Sequence, residues 1–190
     1  MAMPGGLPWN PTVSRGAADA GGVEFDQLFE EYSSPIYNYV LRMVGDPDRA
    51  ADITQDTFIK AYRKLDTVTD ASSTRSWLYR IATNTAIDDM RRRRNVTTMS
   101  DDQPTFANRA DTRPGPEAQV MAATLDERVQ RALMTLRPNH RQCLLLSDLD
   151  DMSAQQIGEV MGLSYGAVRT LLCRARGEMR RALAAEGFSR

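Results

Sequence analysis

Two arginine clusters in this chain have the residue types and spacing that suit recognition of nucleic acid. The first is an unbroken run of arginines at positions 91–94, whose charge favours contact with a phosphate backbone and makes that contact strongly salt-dependent. Asn84 carries both a donor and an acceptor, so it can read the edge of a base. On a helix, four residues at successive i to i+4 steps form one polar stripe: Arg80, Asn84, Asp88 and Arg92. The alternative is that the arginines only complement the macrodipole of their own helix, with Asp88 orienting Arg92.

The second cluster lies in and just after a segment, 154–176, where several sequence requirements of a helix-turn-helix occur at the right spacing. Gly158 is small where two helices cross closely, and Gly162 can adopt the left-handed conformation that ends the first helix. We expect Leu163 to plug the turn as a buried apolar residue and Ser164 to cap the second helix. The apolar contacts that fix the angle between the helices are expected from Ile157, Met161, Val168 and Leu171 or Leu172.

The second helix of this motif leaves a polar face for solvent or for a DNA groove. Recognition helices present their early residues to bases, and Arg169 can make a bidentate bond to guanine. Phosphates or solvent suit the later arginines better, namely Arg174, Arg176, Arg180 and Arg181. The alternative is a helical hairpin with a charged outer face. The predicted DNA contacts are Ser164, Tyr165, Gly166, Arg169, Thr170, Arg174 and Arg176.

The sequence offers little that favours catalysis. His140 is the single histidine, and we expect it to cap or pack near Pro138. Cys143 and Cys173 lack the spacing of metal ligands, and no glycine loop that binds phosphate is present. Both cysteines lie in apolar helical patterns that favour buried thiols without a disulfide. We therefore predict no enzyme, no catalytic residue, no metal site and no cofactor.

The composition places these clusters in a globular helical protein. The 190 residues are 42% hydrophobic and 26% charged, with a formal net charge of -1, and this length suits two small domains. No run of about twenty apolar residues suggests a membrane span, and the N-terminus lacks the pattern of a secretory signal. A cytoplasmic location is therefore expected. Since nucleic acid is drawn by local charge, the overall charge excludes nothing.

Apolar residues at helical spacing define the first predicted domain, 23–95. A stripe from Phe25 to Met43 predicts one helix, which Pro35 is expected to bend or divide. Asp46 is a plausible N-cap with Pro47 at the first position of a helix over 48–64. A turn-rich stretch over 66–74 precedes a third helix over 75–94.

The remaining segments complete an all-α chain of two small helical domains. Residues 1–22 are predicted as a disordered leader, and 96–117 as a flexible acidic linker that includes Asp101, Asp102 and Asp111. Helical periodicity resumes near Glu117, and Pro138 marks a boundary between helices. The second domain is predicted over 118–190, and nothing in the chain alternates with the period of a strand.

Taken together, these residues resemble the compact sigma factors of the extracytoplasmic-function group, which are specificity subunits of bacterial RNA polymerase. The residues DITQDTF at 52–58 are similar to the core-binding motif of the family, and RSWLYRIATN at 75–84 is similar to its promoter-melting helix. The recognition helix agrees through GAVRT at 166–170 and RAR at 174–176. The resemblance covers about 24–95 and 118–186 in the family's order.

The resemblance implies a function for each half. The helix predicted over 48–64 has mixed charge, which alone suggests only a solvated face. The resemblance implies that it docks on the coiled-coil clamp of the beta-prime subunit, through Asp52, Gln55, Asp56 and Phe58. The second domain would read the minus-thirty-five element and meet the beta flap. The loop over 66–73 would help the third helix bind the non-template strand of the minus-ten element as promoter DNA melts, and the helix residues assigned to that element are Arg80, Asn84, Asp88, Arg91 and Arg92.

The resemblance also implies a chain that is monomeric when free and held inactive by an anti-sigma factor. Three positions depart from the family pattern. Leu171 stands where an arginine is common, Gln155 where the motif opens with Tyr, and Gly158 where Ala is usual. Glycine in a helix interior is expected to cost about 1 kcal/mol.

Two other functions remain open at this level. A conventional helix-turn-helix regulator acting without polymerase would need a ligand pocket or a dimer interface, and no segment is evident for either. A protein that only sequesters polymerase would not require Asn84 or Arg169 at their positions.

Overall fold

The computed structural model describes residues 24–67, 71–99 and 127–188, and in these ranges every regular element is helical. The all-α prediction is confirmed. The helices form an N-terminal half, α1–α3, and a C-terminal half, α4–α7. Their bounds are α1 Phe25–Val44, α2 Pro47–Lys64, a short 3-10 turn Leu65–Thr67, α3 Ala71–Met99, α4 Glu127–Thr135, α5 Pro138–Asp148, α6 Ala154–Met161 and α7 Tyr165–Ala185.

Several sequence predictions fall outside the described residues. These are the leader over 1–22, most of the acidic linker over 96–117, and the start of the helix predicted from Glu117. Within the described ranges, no helix is long and apolar enough to cross a bilayer.

Helix α1 runs without interruption through Pro35. The prediction was that this proline bends the helix or divides it in two, and the division is wrong. Pro35 and Glu31 are both exposed, so the Glu31 carbonyl that loses its helical partner can bind water instead. The helix ends where predicted, at Gly45, which has φ 74 and donates its N–H to the Leu41 carbonyl at 2.7 Å.

Helix α2 begins as the sequence predicts. The Asp46 side chain accepts a hydrogen bond from the backbone N–H of Arg49 at 3.1 Å, and Pro47 occupies the first turn. Both features satisfy the free donors of a helix N-terminus. The predicted inner face is buried: Ala50, Ile53, Thr54, Thr57, Phe58 and Ala61.

Helix α3 is longer than the sequence predicts at both ends, because it spans 71–99 rather than 75–94. The predicted loop over 66–73 is correspondingly shorter, since positions 71–73 are helical. Serine and threonine in this stretch suggest a turn. Thr74 and Ser76 are nevertheless only 5% exposed, and such tertiary packing overrides a weak local preference.

The two halves share one hydrophobic core. Leu78 and Ala82 of α3 belong to the same buried cluster as Leu145 of α5 and Ile157 of α6. Helix α3 packs directly against α6, and α6 packs against α7. The sequence gives no sign of this contact, because it suggests only a tether between two separate domains.

Candidate nucleic-acid and protein interfaces

The turn between α6 and α7 is built by local hydrogen bonds. Ser153 and Gln156 form a capping box at the start of α6, and Gly162 ends that helix with φ 67. Ser164 then caps α7 by accepting from the backbone N–H of Ala167 at 3.3 Å. The predicted helix-turn-helix geometry is therefore present, with Gly158 and Val168 buried where the helices cross.

Leu163 does not fill the role that the sequence suggests. Its side chain is 39% exposed, so the prediction of a buried apolar plug is wrong. Its backbone is the part that packs: the Leu163 N–H donates to the Gly158 carbonyl at 2.9 Å. The turn is closed by the main chain, and the burial comes from Ile157, Val168 and Leu172 instead.

The first turns of α7 present a shallow hollow to solvent. Tyr165 is 58% exposed, and the guanidinium of Arg169 lies 5.8 Å from the centre of its ring. Thr170 donates its hydroxyl to the Gly166 carbonyl at 3.0 Å, which leaves the hydroxyl oxygen able to accept. The hollow has a volume of about 610 Å³ and is lined by Tyr165, Gly166, Arg169, Thr170, Cys173 and Arg174.

Arg176 differs from the other residues assigned to this face. Its guanidinium donates to the Asp148 carboxylate at 2.6 Å and to the Ser147 hydroxyl at 3.2 Å. Although burial opposes the shift, hydrogen bonds from Arg176 and from the Ser147 side chain to the Asp148 carboxylate, with the charge of Arg176, hold the pKa of Asp148 below its usual value. A phosphate would therefore compete with an existing ion pair for Arg176.

The two cysteines have different environments. Cys143 is buried, and burial raises the pKa of its thiol to about 11. Cys173 is exposed on the α7 face, so the prediction of two buried thiols is wrong for Cys173. Its place beside Arg169 and Arg174 puts it among the residues that line the hollow.

The polar stripe predicted on α3 is exposed along its length. Arg80, Asn84 and Asp88 are exposed, as are the four arginines at 91–94. Leu78 and Ala82 on the opposite side are fully buried, so the core holds the helix and leaves the stripe free. Trp77 is partly buried and packs against the core.

The carboxylates near this stripe have roles that the sequence does not indicate. Arg92 donates through its Nε to the backbone carbonyl of Asp88, rather than to its carboxylate, at 3.4 Å. Asp89 instead forms an ion pair with α2, accepting from the Arg49 Nε at 3.1 Å, and its carboxylate also lies 3.9 Å from the Arg93 Nε. That pair joins α2 to α3 and fixes the angle at which the stripe is presented.

The residues of α2 assigned to a protein partner differ in exposure. Asp52, Gln55 and Asp56 are exposed. Phe58 is only 4% exposed and packs edge to face on Phe29, with ring centres 4.9 Å apart. The interpretation of Phe58 as a surface contact is therefore corrected: it supports this face from the core.

Sequence reasoning missed two residues next to these faces. Ile59 is 40% exposed and lies on the α2 surface between Gln55 and Arg63, where an apolar side chain in a polar face is typical of a protein interface. Lys60 donates to the Thr85 hydroxyl of α3 at 3.0 Å, which brings a cation beside the stripe. The signal for Ile59 was available, since helical spacing places it opposite the buried residues.

His140 takes a different role from the one expected. Its Nδ1 lies 2.6 Å from a carboxylate oxygen of Glu178, so it joins α5 to α7. The described ranges contain no group of three or more histidine, cysteine or acidic residues arranged to hold a metal ion.

Two known protein families match this chain. Residues 28–96 match sigma-70 region 2, and residues 126–179 match sigma-70 region 4. The first range contains α2 and most of α3, and the second contains the helix-turn-helix.

Individual relatives match over most of their length. The RNA polymerase sigma factor YlaC of Bacillus subtilis is 32% identical over 158 residues, which covers 82% of this chain and 90% of the relative. The ECF RNA polymerase sigma factor SigW of the same species is 29% identical over 177 residues, covering 90% and 92%. SigL of Mycobacterium tuberculosis, another ECF sigma factor, is 30% identical over 178 residues, covering 92% and 97%.

Solved structures share the fold. The sigma factor RpoE from Bartonella quintana, in complex with the anti-sigma factor NepR, is similar with a TM-score of 0.67 at 21% identity, covering 84% of this chain and 96% of that one. CnrH, in complex with the cytosolic domain of CnrY, has a TM-score of 0.61 at 25% identity, covering 85% and 88%.

Proposed function

Because this chain belongs to the extracytoplasmic-function group of sigma factors and directs RNA polymerase to promoters, we propose that each of its three exposed faces has one task. The α2 face docks on core polymerase, the α3 stripe binds the minus-ten element, and the first turns of α7 bind the minus-thirty-five element. The observation that carries this assignment is where charge is exposed: Asp52 and Asp56 flank the exposed Gln55 on α2, whose exposed cations come later in the helix, while arginines dominate the exposed charge of the α3 stripe and of α7.

The α2 face suits a protein partner better than DNA. Asp52 and Asp56 would repel a phosphate backbone, whereas they complement a basic surface and set the rate and register of docking. Ile59 adds an apolar anchor of the kind that supplies binding energy at the centre of an interface. We therefore assign core polymerase, through its beta-prime clamp coiled coil, to Asp52, Gln55, Asp56 and Ile59.

The α3 stripe suits a single strand. Asn84 can bond the edge of an unpaired base, and Arg80 and the arginines at 91–94 can follow the backbone. Sequence-specific recognition of an exposed strand couples reading to melting, since the bases become accessible only when the duplex opens. Asp88 lies within the stripe, where its charge discourages phosphate contact at that point.

The α7 face suits a duplex. Arg169 stands on the second turn of a helix whose N-terminus is exposed, the position from which recognition helices reach base edges in the major groove. Ser164 and Gly166 are placed to donate or to allow close approach at the helix N-terminus, and Arg174 and Arg176 to contact phosphates. The beta flap of polymerase would hold this half near its element.

Neither DNA face has many base contacts, so each is expected to bind weakly alone. When both act on one polymerase, binding of one element raises the effective concentration of the other face. A conventional helix-turn-helix regulator is not favoured, because region 2 and region 4 both match this chain.

The test is run-off transcription with purified core polymerase on a library of random promoters, followed by sequencing of the transcribed templates. We expect a minus-ten and a minus-thirty-five consensus in those templates. The double variant Asp52→Lys with Asp56→Lys should abolish start-site selection. The matched control, Asp26→Lys with Glu30→Lys, changes the same charge on exposed positions of α1 and should transcribe normally. Normal start-site selection by the α2 variant would contradict the docking assignment.

We also propose that a regulatory protein of the anti-sigma class holds this chain inactive. The support is the family, together with the solved complex of the sigma factor RpoE, which shares this fold, with the anti-sigma factor NepR. We further propose that the chain works in the cytoplasm beside the polymerase and needs neither a catalytic residue nor a cofactor, since docking and strand binding involve no chemical step. Co-purification of a partner from unstressed cells would support the regulation, and constitutive activity there would contradict it.

A further inference from the structure

Arg176 of α7 is already bound to α5 before any DNA is present. Its guanidinium donates to the Asp148 carboxylate at 2.6 Å and to the Ser147 hydroxyl at 3.2 Å. Both acceptors lie at the C-terminal end of α5. The side chains of Arg176 and Asp148 are 53% and 44% exposed, so a phosphate that arrives from solvent can reach either member of the pair.

Arg176 lies on the side of α7 that is assigned to DNA. Seven steps along a helix turn by about 700°, so residues seven apart share one side and lie about 10.5 Å apart along the axis. Arg176 therefore stands on the same side as Arg169, two turns later. Because the major groove is about 12 Å wide, a helix that places Arg169 against base edges brings Arg176 to the phosphates at the edge of the groove.

The acceptor of this ion pair is held in a fixed place. Residues 140–146 of α5 are all buried. Within that stretch, the Arg141 guanidinium donates to the backbone carbonyls of three residues outside the helix: Met43, Met134 and Leu136. A helix anchored in this way cannot shift with a moving side chain, so Arg176 must leave the Asp148 carboxylate in order to reach a phosphate.

A second contact keeps α7 in place if the ion pair is broken. His140 of α5 has its Nδ1 2.6 Å from the Glu178 carboxylate. Residues two apart on a helix point about 200° apart, so α5 contacts α7 through Arg176 on one side and through Glu178 on nearly the opposite side. Between them, Ala175 is fully buried in a cluster with Leu144 of α5. Loss of the Asp148 charge therefore leaves the seat of α7 intact.

The ion pair presents little net charge to a passing DNA backbone. The negative carboxylate offsets the positive guanidinium, and a cation that is already neutralised releases few counterions from DNA. A phosphate that displaces Asp148 from Arg176 also leaves the carboxylate close by, where the two negative charges repel each other. Phosphate binding by Arg176 is thus opposed twice.

We propose that Asp148 limits the sequence-independent affinity of α7 for DNA by holding Arg176 away from the phosphate backbone. This rests on the proposed function, since it requires that α7 binds the minus-thirty-five duplex. Asp148 is then a positioning residue that acts through Arg176 and touches no DNA itself. The affinity of the face comes mainly from the earlier turns, where Arg169 and Thr170 meet base edges.

The test is the salt dependence of binding between the holoenzyme and a duplex that carries the minus-thirty-five element and stops short of the minus-ten element. Each phosphate contact contributes about 0.9 to the slope of log affinity against log salt. Asp148→Asn removes the charge and keeps the side-chain shape, so it should steepen the slope by about 0.9. Between about 50 and about 200 mM salt, the affinity of the variant should therefore fall about 3.5-fold more than that of the wild type.

The gain should not depend on sequence. At the low-salt end, Asp148→Asn should bind more tightly than the wild type both to this duplex and to one with a scrambled minus-thirty-five element, because phosphate contacts carry no sequence information. A gain on the intact element alone would overturn the proposal, since it would mean that Asp148 acts on base recognition.

Two variants control for charge. The double variant Asp148→Asn with Arg176→Gln restores the net charge of the wild-type pair and should return the slope to the wild-type value. Asp151→Asn removes the same charge three residues later, at an exposed position with φ 48 that asparagine tolerates. Because Asp151 lines a different hollow, with Arg42 and Arg75, its variant should also keep the wild-type slope.

The remaining outcomes separate this proposal from the function on which it rests. An unchanged slope in Asp148→Asn would overturn it, provided that Arg169→Ala still loses discrimination on the same duplex. Weaker binding by Asp148→Asn without a steeper slope would also overturn it, since the pair would then only brace α7. If neither Asp148→Asn nor Arg169→Ala changes binding, α7 does not contact the duplex, and the minus-thirty-five assignment is wrong together with the proposal.

Discussion

A side-chain carbon added at Gly158 would stand 2.6 Å from the carbonyl oxygen of Leu163. The oxygen belongs to the backbone of the turn between α6 and α7, and it cannot move without breaking the bond that Leu163 makes to Gly158. The absence of a side chain at position 158 therefore sets how closely the two helices of the motif approach.

We expect Gly158→Ala to lower the free energy of unfolding by about 2 kcal/mol, as overpacking of a tight contact does. This is opposite in sign to the gain of about 1 kcal/mol that helix propensity alone predicts. Urea unfolding of the full chain would measure it. Gly166→Ala is the matched control, since nothing lies within 4 Å of the added carbon, and it should be neutral or stabilising. A Gly158→Ala protein as stable as the wild type would show that the turn relaxes.

The pH dependence of stability should carry a contribution from Asp150. Burial, the largest cause, raises the pKa of this carboxyl above its ordinary value of 3.8. The folded chain then holds a proton that the unfolded chain has released. The resulting stabilisation is full below about 3.8 and is lost as pH rises through the raised pKa, at no more than about 1.4 kcal/mol per pH unit.

The comparison that isolates this group is the difference in unfolding free energy between the wild type and Asp150→Asn, measured from pH 4 upwards. The wild type should lose stability relative to the asparagine variant across that window. A flat difference would mean that Asp150 titrates as an ordinary surface carboxyl.

Arg169 should control sequence preference rather than general affinity. Replacing it with alanine should cost about 1–3 kcal/mol of discrimination at one position of the minus-thirty-five element, because a bidentate contact to guanine is lost. Arg180→Ala, an exposed cation farther along α7, should weaken holoenzyme binding equally on all sequences and reduce its salt dependence. Promoter-library transcription with both variants separates the two effects, and an unchanged consensus with Arg169→Ala would remove this residue from base recognition.

Ile59 should contribute to polymerase docking. We expect Ile59→Ala to weaken binding of core polymerase by about 1–2 kcal/mol without changing thermal stability, since the side chain is 40% exposed and its truncation removes an interface contact only. Phe188→Ala removes an apolar residue of similar exposure, 37%, at the far end of the chain and should bind normally. Equal affinities of the two variants would place Ile59 outside the interface.

Local signals predicted the start of α2 well, because the cap and the proline that form it lie next to each other in the chain. Burial was harder to predict. Leu163 looked like a plug and is exposed, because only the packing of other helices decides which side chain of a turn is covered. Helical spacing places Phe58 on the buried side of α2, and the docking role that the family motif implied for it does not agree with its burial. Phe58 is covered by the aromatic residues at the start of α1, which no local pattern indicates.

Long-range pairs were out of reach for the same reason. The Arg176 contact with Asp148 and the Arg49 contact with Asp89 each join different helices, and the residues appear in the sequence as unrelated surface charges. The docking of the halves has no local signature at all. The composition of the stretch between them predicts only a flexible linker. The residues that meet at the contact between the two halves have no unusual type or spacing in the sequence.

Arg141 couples the thermal unfolding of the two halves in the free protein. Its guanidinium bonds carbonyls that end α1 and α4, so loosening either helix end leaves a buried cation with fewer acceptors and weakens the other. Calorimetry of the free chain should accordingly trace a single cooperative endotherm.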